Sequence, residues 1–152
     1  MPRPFSQTLL RVKIAGFDMI DDIIEDLNQG KKNATGDLAK SLKVEASELG
    51  GIVSVRFKAK SHWKYVDGGR KKGTRPPIGP LQRWVTVKLG ISDENDSKSI
   101  AFAIAKNIEK NGIKPTYIFR NNVDKFKSKL KTLILKTGKE DVTKEIRKIL
   151  NR

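Results

Sequence analysis

Between Ser6 and Asn28, the apolar residues Leu10, Ile14, Phe17, Ile20, Ile24 and Leu27 recur at spacings of three and four. That rhythm puts them on one stripe of an α-helix, so a helix is expected from about Gln7 to Asn28. Ser6 is placed to cap it, and Asn28-Gln29-Gly30 to stop it. Gly16 costs such a helix about 1 kcal/mol relative to Ala, which marks either a bend or a close approach by another element. Ahead of the helix, Pro2 and Pro4 disfavour helix, so residues 1–6 read as an extended arm.

The period then changes. After a basic link at 31–34, Thr35-Gly36-Asp37-Leu38 reads as a cap and a short helical turn through Ser41. Leu42, Val44 and Ala46 alternate with Lys43, Glu45 and Ser47. Beyond a turn at Leu49-Gly50-Gly51, Ile52, Val53, Val55 and Phe57 follow, with Ser54, Arg56 and Lys58 on the other face. Period-two alternation on both sides of a Gly-Gly turn predicts a β-hairpin over about 41–58. Trp63, Tyr65 and Val66 fit a third strand or a short helix.

Helical spacing returns at Ile78 to Leu89, with Leu81, Trp84, Val85 and Lys88 on one side and Gly90 as the stop. The polar run Ser92 to Ser97 reads as a loop capping a helix from about Ser99 to Lys110, where Ile100, Ile104 and Ile108 are spaced by four. Asn111-Gly112 closes that helix and Pro115 prevents its continuation. Thr116 to Phe119 reads as an extended piece returning to the sheet. Val123, Phe126, Leu130, Leu133 and Ile134 predict a helix ending at Gly138, and Val142, Ile146, Ile149 and Leu150 a last one. The fold class expected is therefore α+β: a small antiparallel sheet, the hairpin plus one or two short strands, flanked by an N-terminal helix and several C-terminal helices.

Charge changes the picture most. The 152 residues include 32 Lys+Arg against 17 Asp+Glu, a net +15. Such a field favours polyanions: nucleic acid, acidic protein surfaces or anionic membranes. Against this background Asp18, Asp21, Asp22, Glu25 and Asp26 form one acidic patch on the first helix. The absence of cysteine excludes disulfides, thiolate metal sites and cysteine nucleophiles. No apolar run approaches a membrane span or a signal-peptide core, and a soluble intracellular product with no membrane partner is expected.

The segment Ser61 to Val85 concentrates the unusual residues: both tryptophans, the single histidine and half of the six prolines, interleaved with Lys and Arg. Trp and Tyr bury large areas at low entropy cost, and a Gly/Pro-rich loop presents them. Chemistry, by contrast, is thin. His62 has no second His or Cys beside it for a metal. Ser61, His62 and Asp67 can be written as a triad but lack a nucleophile-elbow context. Gly68 to Gly73 lacks the Gly-Lys-Ser/Thr ending of a phosphate loop. No enzyme, cofactor or metal site is expected.

The order of motifs is more telling: TGDLAKS at Thr35 to Ser41, HWKYVDGG at His62 to Gly69, PPIGPLQRWV at Pro76 to Val85, SIAFAIAKNIEKNGI at Ser99 to Ile113, then PTYIF. This succession resembles the head–tail connector proteins of tailed bacteriophages, the tail-completion or neck family, over roughly Thr35 to Phe119. The resemblance implies a connector-like α+β domain over 1–138 with its arm at 1–6. The helix at 139–152 lies outside the resemblance and is expected as an interaction extension. It further implies a virion structural protein, made in the host bacterial cytoplasm, that repeats as a hexameric or dodecameric ring around the DNA channel. Its partners would be portal, adaptor or stopper and tail proteins, with non-specific contact to DNA.

The subunit or neck contacts expected on this reading are Trp63, Tyr65, Asp67, Arg70, Lys71, Lys72 and Arg75 on the loop, and Asp18, Asp22 and Glu25 on the acidic helix. Head-to-tail assembly needs two unlike, complementary patches on each subunit, and the acidic helix and the basic loop are of opposite sign. The alternative is a basic nucleic-acid-binding protein, with bases stacked on Trp63, Tyr65 and Trp84 and phosphates held by the loop from Trp63 to Arg83 and the C-terminal helices.

Overall fold

A computed structural model describes residues 6–30 and 36–151. The arm at 1–5 and the link at 31–35 lie outside the described residues. The fold is α+β: among the described residues, six helices and a two-stranded antiparallel sheet, in the order α1 (Ser6–Gln29), α2 (Asp37–Ser41), β1 (Lys43–Leu49), β2 (Ile52–Lys58), α3 (Trp63–Gly68), α4 (Ile78–Leu89), α5 (Glu94–Asn111) and α6 (Ile118–Leu150). The chain forms two compact units. Of the described residues, unit 1 takes 6–25, 41–59 and 120–151, and unit 2 takes 26–30, 36–40 and 60–119.

In unit 1, the hairpin pairs Val44 with Phe57, Ala46 with Val55 and Leu49 with Ile52. Gly50 and Gly51 both have positive φ, as a two-residue turn matched to strand twist requires. The alternation holds: Val44, Ala46, Val53, Val55 and Phe57 turn inward while Lys43, Glu45, Arg56 and Lys58 stay exposed. On the outer face Lys58 Nζ sits 2.6 Å from Glu45 Oε1 and holds that carboxyl below the usual range. Inward, Phe57 meets Phe126 of α6 edge-on at 5.2 Å.

The expected stripe of α1 is buried only in its second half, at Ile20 and Leu27, with Ile24 half-buried. Thr8, Val12, Gly16, Met19, Ile20 and Ile23 are buried, while Leu10, Ile14 and Phe17 stand about half exposed. The reason is Gly16. A Cβ there would lie 2.7 Å from Val44 Cγ2, so the helix lays its glycine, rather than its largest apolar side chains, against β1. Gly16 thus marks the close approach of another element.

A polar cluster ties α6 to the start of α1. Asp141 Oδ2 accepts from the Thr8 hydroxyl at 2.8 Å and from the Thr8 backbone N–H at 3.2 Å, and Thr137 Oγ1 lies 3.0 Å from Thr8 Oγ1. All three residues are buried. The first N–H groups of a helix have no partner within it, so a carboxylate from α6 supplies one and adds favourable charge at the positive end of the dipole. Thr8→Val should lower stability by about 1–2 kcal/mol and Asp141→Ala by about 2–3 kcal/mol, because each leaves buried polar groups without partners. Thermal unfolding followed by circular dichroism measures both; melting points unchanged from wild type would contradict the assignment.

In unit 2, α4 packs on α5. The buried line of α5 is Ser97, Ala101, Ala105 and Ile108, with Val85 of α4 fully buried. Small residues face the partner helix and let it come close, while Ile100 and Ile104 are half-buried at the flanks. The polar run expected to be a loop already belongs to α5. Asp93 caps the helix by accepting from the Asp96 N–H at 2.9 Å, and Glu94 and Asp96 occupy its first turn, where carboxylates are favoured.

Two further expectations are corrected. Thr116 to Phe119 is not a strand. Tyr117 takes a left-handed φ of 56° and turns the chain into α6, and beyond the hairpin the described residues add only an antiparallel bridge between Arg70 and Ile113. Nor does a helix end at Gly138: α6 runs unbroken through it for 33 residues. A lone glycine costs a helix about 1 kcal/mol, which the buried contacts of Leu133, Thr137 and Asp141 on either side outweigh.

Candidate interaction surface

The loop between α3 and α4 is built on a backbone frame. Arg70 and Ile113 exchange hydrogen bonds at 2.9 and 2.8 Å, and the Gly73 N–H donates to the Glu109 carbonyl at 2.7 Å. Gly69 and Gly112 flank the bridge, both at positive φ. A Cβ on Gly69 would strike the Ile113 carbonyl oxygen, and one on Gly112 the Arg70 carbonyl oxygen. These two glycines let the loop lie flat on the end of α5.

On that frame the aromatic and charged residues divide. Trp63 is half-buried and leans on Phe119 at 5.4 Å. Asp67 is 5% exposed and works internally: its carboxylate accepts from the Phe119 N–H at 2.8 Å, and its carbonyl from the N–H groups of Thr116 and Tyr117 at 3.0 Å each. It therefore caps the first turn of α6, and sequence spacing gave no sign of this because its partners lie 49 or more positions away. Trp63 and Asp67 hold α3 against the start of α6.

The outward residues are Tyr65, Lys71, Lys72 and Arg75, with Arg70 half-buried beside them. Tyr65 is exposed, with the Arg70 guanidinium carbon 5.3 Å from its ring centre, an arrangement worth about 0.5–1 kcal/mol at the surface. Arg75 pairs with Glu109 through Nη2 at 2.7 Å and Nε at 2.8 Å and covers Phe102 at 5.1 Å. Arg83 meets Asp37 at 3.3 Å, and Lys60 meets the same carboxylate at 3.8 Å. Lys71 and Lys72 are exposed in the turn. Trp84, taken with Leu81 and Val85 as one apolar face, is 36% exposed, while Val85 is fully buried. Asp18, Asp22 and Glu25 lie exposed on α1 in unit 1, and the loop residues lie in unit 2.

The larger signal lies elsewhere. At the hairpin tip Leu49 is 84% and Ile52 69% exposed. Leu10, Ile14 and Phe17 stand out from α1, and Leu135, Val142, Ile146, Ile149 and Leu150 from α6. Groups of exposed large apolar side chains mark contact surfaces. The α6 set was visible in the sequence: Leu135, Val142 and Ile149 are spaced by seven, on the side opposite Phe126, Leu133 and Thr137.

Among the described residues no group of three or more His, Asp or Glu is placed to hold a metal, and no helix is long and apolar enough to cross a membrane. No protein-family model matches this chain, and no curated protein or solved structure is similar to it.

Proposed function

We propose that this protein is an assembly subunit: a virion structural protein of a tailed phage that repeats as a ring at the head–tail junction and surrounds the DNA channel. The observation that carries the assembly reading is the exposed apolar surface of unit 1, above all the hairpin tip. Leu49 and Ile52 pair across a two-residue turn, and both are exposed. Such a tip has its use when it inserts into another subunit or a neck neighbour. The motif order from Thr35 to Phe119 supports the phage assignment, and the net charge of +15 suits a ring whose lumen meets DNA.

The second reading, direct nucleic-acid binding, draws on α6, where Arg120, Lys125, Lys127, Lys129 and Lys131 are all exposed along its first half. Native mass spectrometry and light scattering at low and high salt, with and without duplex DNA, separate the two. The assembly reading expects a closed oligomer, weak DNA binding that salt abolishes, and loss of the oligomer in a Leu49→Ser, Ile52→Ser variant. That variant should unfold within about 0.5 kcal/mol of wild type, as exposed positions do. A monomer forming a salt-resistant stoichiometric complex with DNA would establish the second reading instead.

A further inference from the structure

Two helix faces of unit 1 are exposed among the described residues, and each is of a definite kind. On α1, at 100° per residue, Leu10, Ile14 and Phe17 fall in one arc roughly 150° from the buried line of Val12, Gly16, Met19 and Ile23. Asp21 continues that arc towards the C-terminal end, with Asp18 and Glu25 beside it, all exposed. The outward band of α1 is thus apolar for its first half and acidic for its second. On α6, Leu135, Val142, Ile146 and Ile149 form an arc roughly 150° from the inward line of Phe126, Leu130, Leu133, Thr137 and Asp141. Exposed Lys131 and Lys139 stand on or beside it towards the N-terminal end. Along this band Lys131 comes first, Leu135 and Lys139 follow, and the last three places, Val142, Ile146 and Ile149, are apolar.

We infer that these bands are the two halves of one subunit–subunit contact, in which the outward face of α6 from one copy lies antiparallel on the outward face of α1 from the next. The inference rests on the assembly reading above. The lengths match. Measured at 1.5 Å per residue from Leu10, Ile14, Phe17, Asp21 and Glu25 lie at about 6, 10, 16 and 22 Å. Measured back from Ile149, Ile146, Val142, Lys139, Leu135 and Lys131 lie at about 4, 10, 15, 21 and 27 Å. Leu10, Ile14 and Phe17 therefore meet Ile149, Ile146 and Val142, Asp21 meets Lys139, and Glu25, level with Leu135, lies about 5 Å along the axis from Lys131. The charges also select the antiparallel direction: laid parallel, the lysines would meet Leu10 and Ile14, and the carboxylates would meet the apolar end.

The geometry also sets the kind of assembly. The inward faces of α1 and α6 meet each other at Thr8, Thr137 and Asp141, so the two bands look away from one another on opposite sides of unit 1. Each copy then presents one band to each neighbour. The contact is heterologous, and it propagates until rotation closes it into a ring. In this arrangement the acidic helix meets α6 rather than the loop at Arg70 to Lys72.

Reciprocal charge reversal in the full chain tests this, read by native mass spectrometry and sedimentation at low salt. Asp21→Lys with Glu25→Lys, and separately Lys131→Glu with Lys139→Glu, should each weaken self-association by at least about tenfold. The chain carrying all four substitutions, with its polarity reversed, should recover wild-type association to within about threefold. All four positions are exposed, and circular dichroism verifies that each variant is folded. An oligomer indifferent to either reversal, or one that the fourfold chain fails to restore, overturns this contact while leaving assembly in place. A wild-type chain that stays monomeric at high concentration in low salt overturns both.

Discussion

Replacing Gly69 by Ala should cost about 3–5 kcal/mol, and replacing Gly112 by Ala a similar amount. Gly69 sits at φ 69° and ψ −160°, and Gly112 at φ 73° and ψ −168°, a region essentially closed to residues with a Cβ. That alone accounts for about 1–3 kcal/mol. The added methyl then collides with backbone, which cannot swing aside as a side chain does. At Gly69 it meets the Ile113 carbonyl oxygen and comes within 2.7 Å of Pro115 N, and at Gly112 it meets the Arg70 carbonyl oxygen and lies 3.1 Å from Lys72 N. Overpacking of this kind adds about 1–3 kcal/mol. Urea unfolding gives the loss, and amide exchange should accelerate selectively at Arg70 and Ile113, which bond each other across the bridge. Gly138→Ala is the control. Its Cβ would meet nothing within 4 Å, and the helix runs straight through it, so this change should stabilise by about 0.5–1 kcal/mol. A destabilised Gly138→Ala variant would mean that α6 is broken there.

Asp67→Ala should cost about 2–4 kcal/mol. The carboxylate is buried and holds the Phe119 N–H in the first turn of α6, a turn that an αL residue, Tyr117, must first set up. Charge-assisted bonds contribute more than neutral ones, and the variant leaves a buried donor without its partner. The Ala side chain also frees the α3 end that receives the Thr116 hydroxyl at the Val66 carbonyl, 2.6 Å away. Asp67→Asn keeps an acceptor of the same shape and should lose roughly half as much, since only the charge assistance goes. Tryptophan fluorescence provides a local readout, because Trp63 rests on Phe119 beside the cap. If Asp67→Ala unfolds like wild type yet abolishes self-association, Asp67 is a contact residue and not a cap.

Much of the chain was legible from its periods. The hairpin, α1, α4 and the stop at Gly90 follow from period two, period 3.6 and glycine placement, because each is a local property of backbone and side-chain shape. The errors share a cause. Leu10, Ile14 and Phe17 satisfy helical spacing as well as Val12, Met19 and Ile23 do, and nothing local tells which side of an amphipathic helix finds a partner. The contact of Gly16 with Val44 decided that. Gly138 and Asn111-Gly112 look alike as stops, yet only the second ends a helix, since Pro115 follows it and the flanks of Gly138 are held by buried residues.

The interaction surface divides in the same way. Tyr65, Lys71, Lys72 and the acids of α1 were readable as exposed by residue type. Asp67, equally polar, was not readable as buried, because its role depends on donors that arrive from the far side of α5. Hence the sequence alone determined an α+β chain, strongly basic, with a Gly/Pro-rich basic turn and two-sided helices; the aromatics read as loop residues, Trp63, Tyr65 and Trp84, stand on α3 and α4. Only the tertiary structure decided which apolar stripe became core and which stayed on the surface. Burial is settled by pairs of segments distant in sequence, and a stripe left without such a pair remains available to another chain.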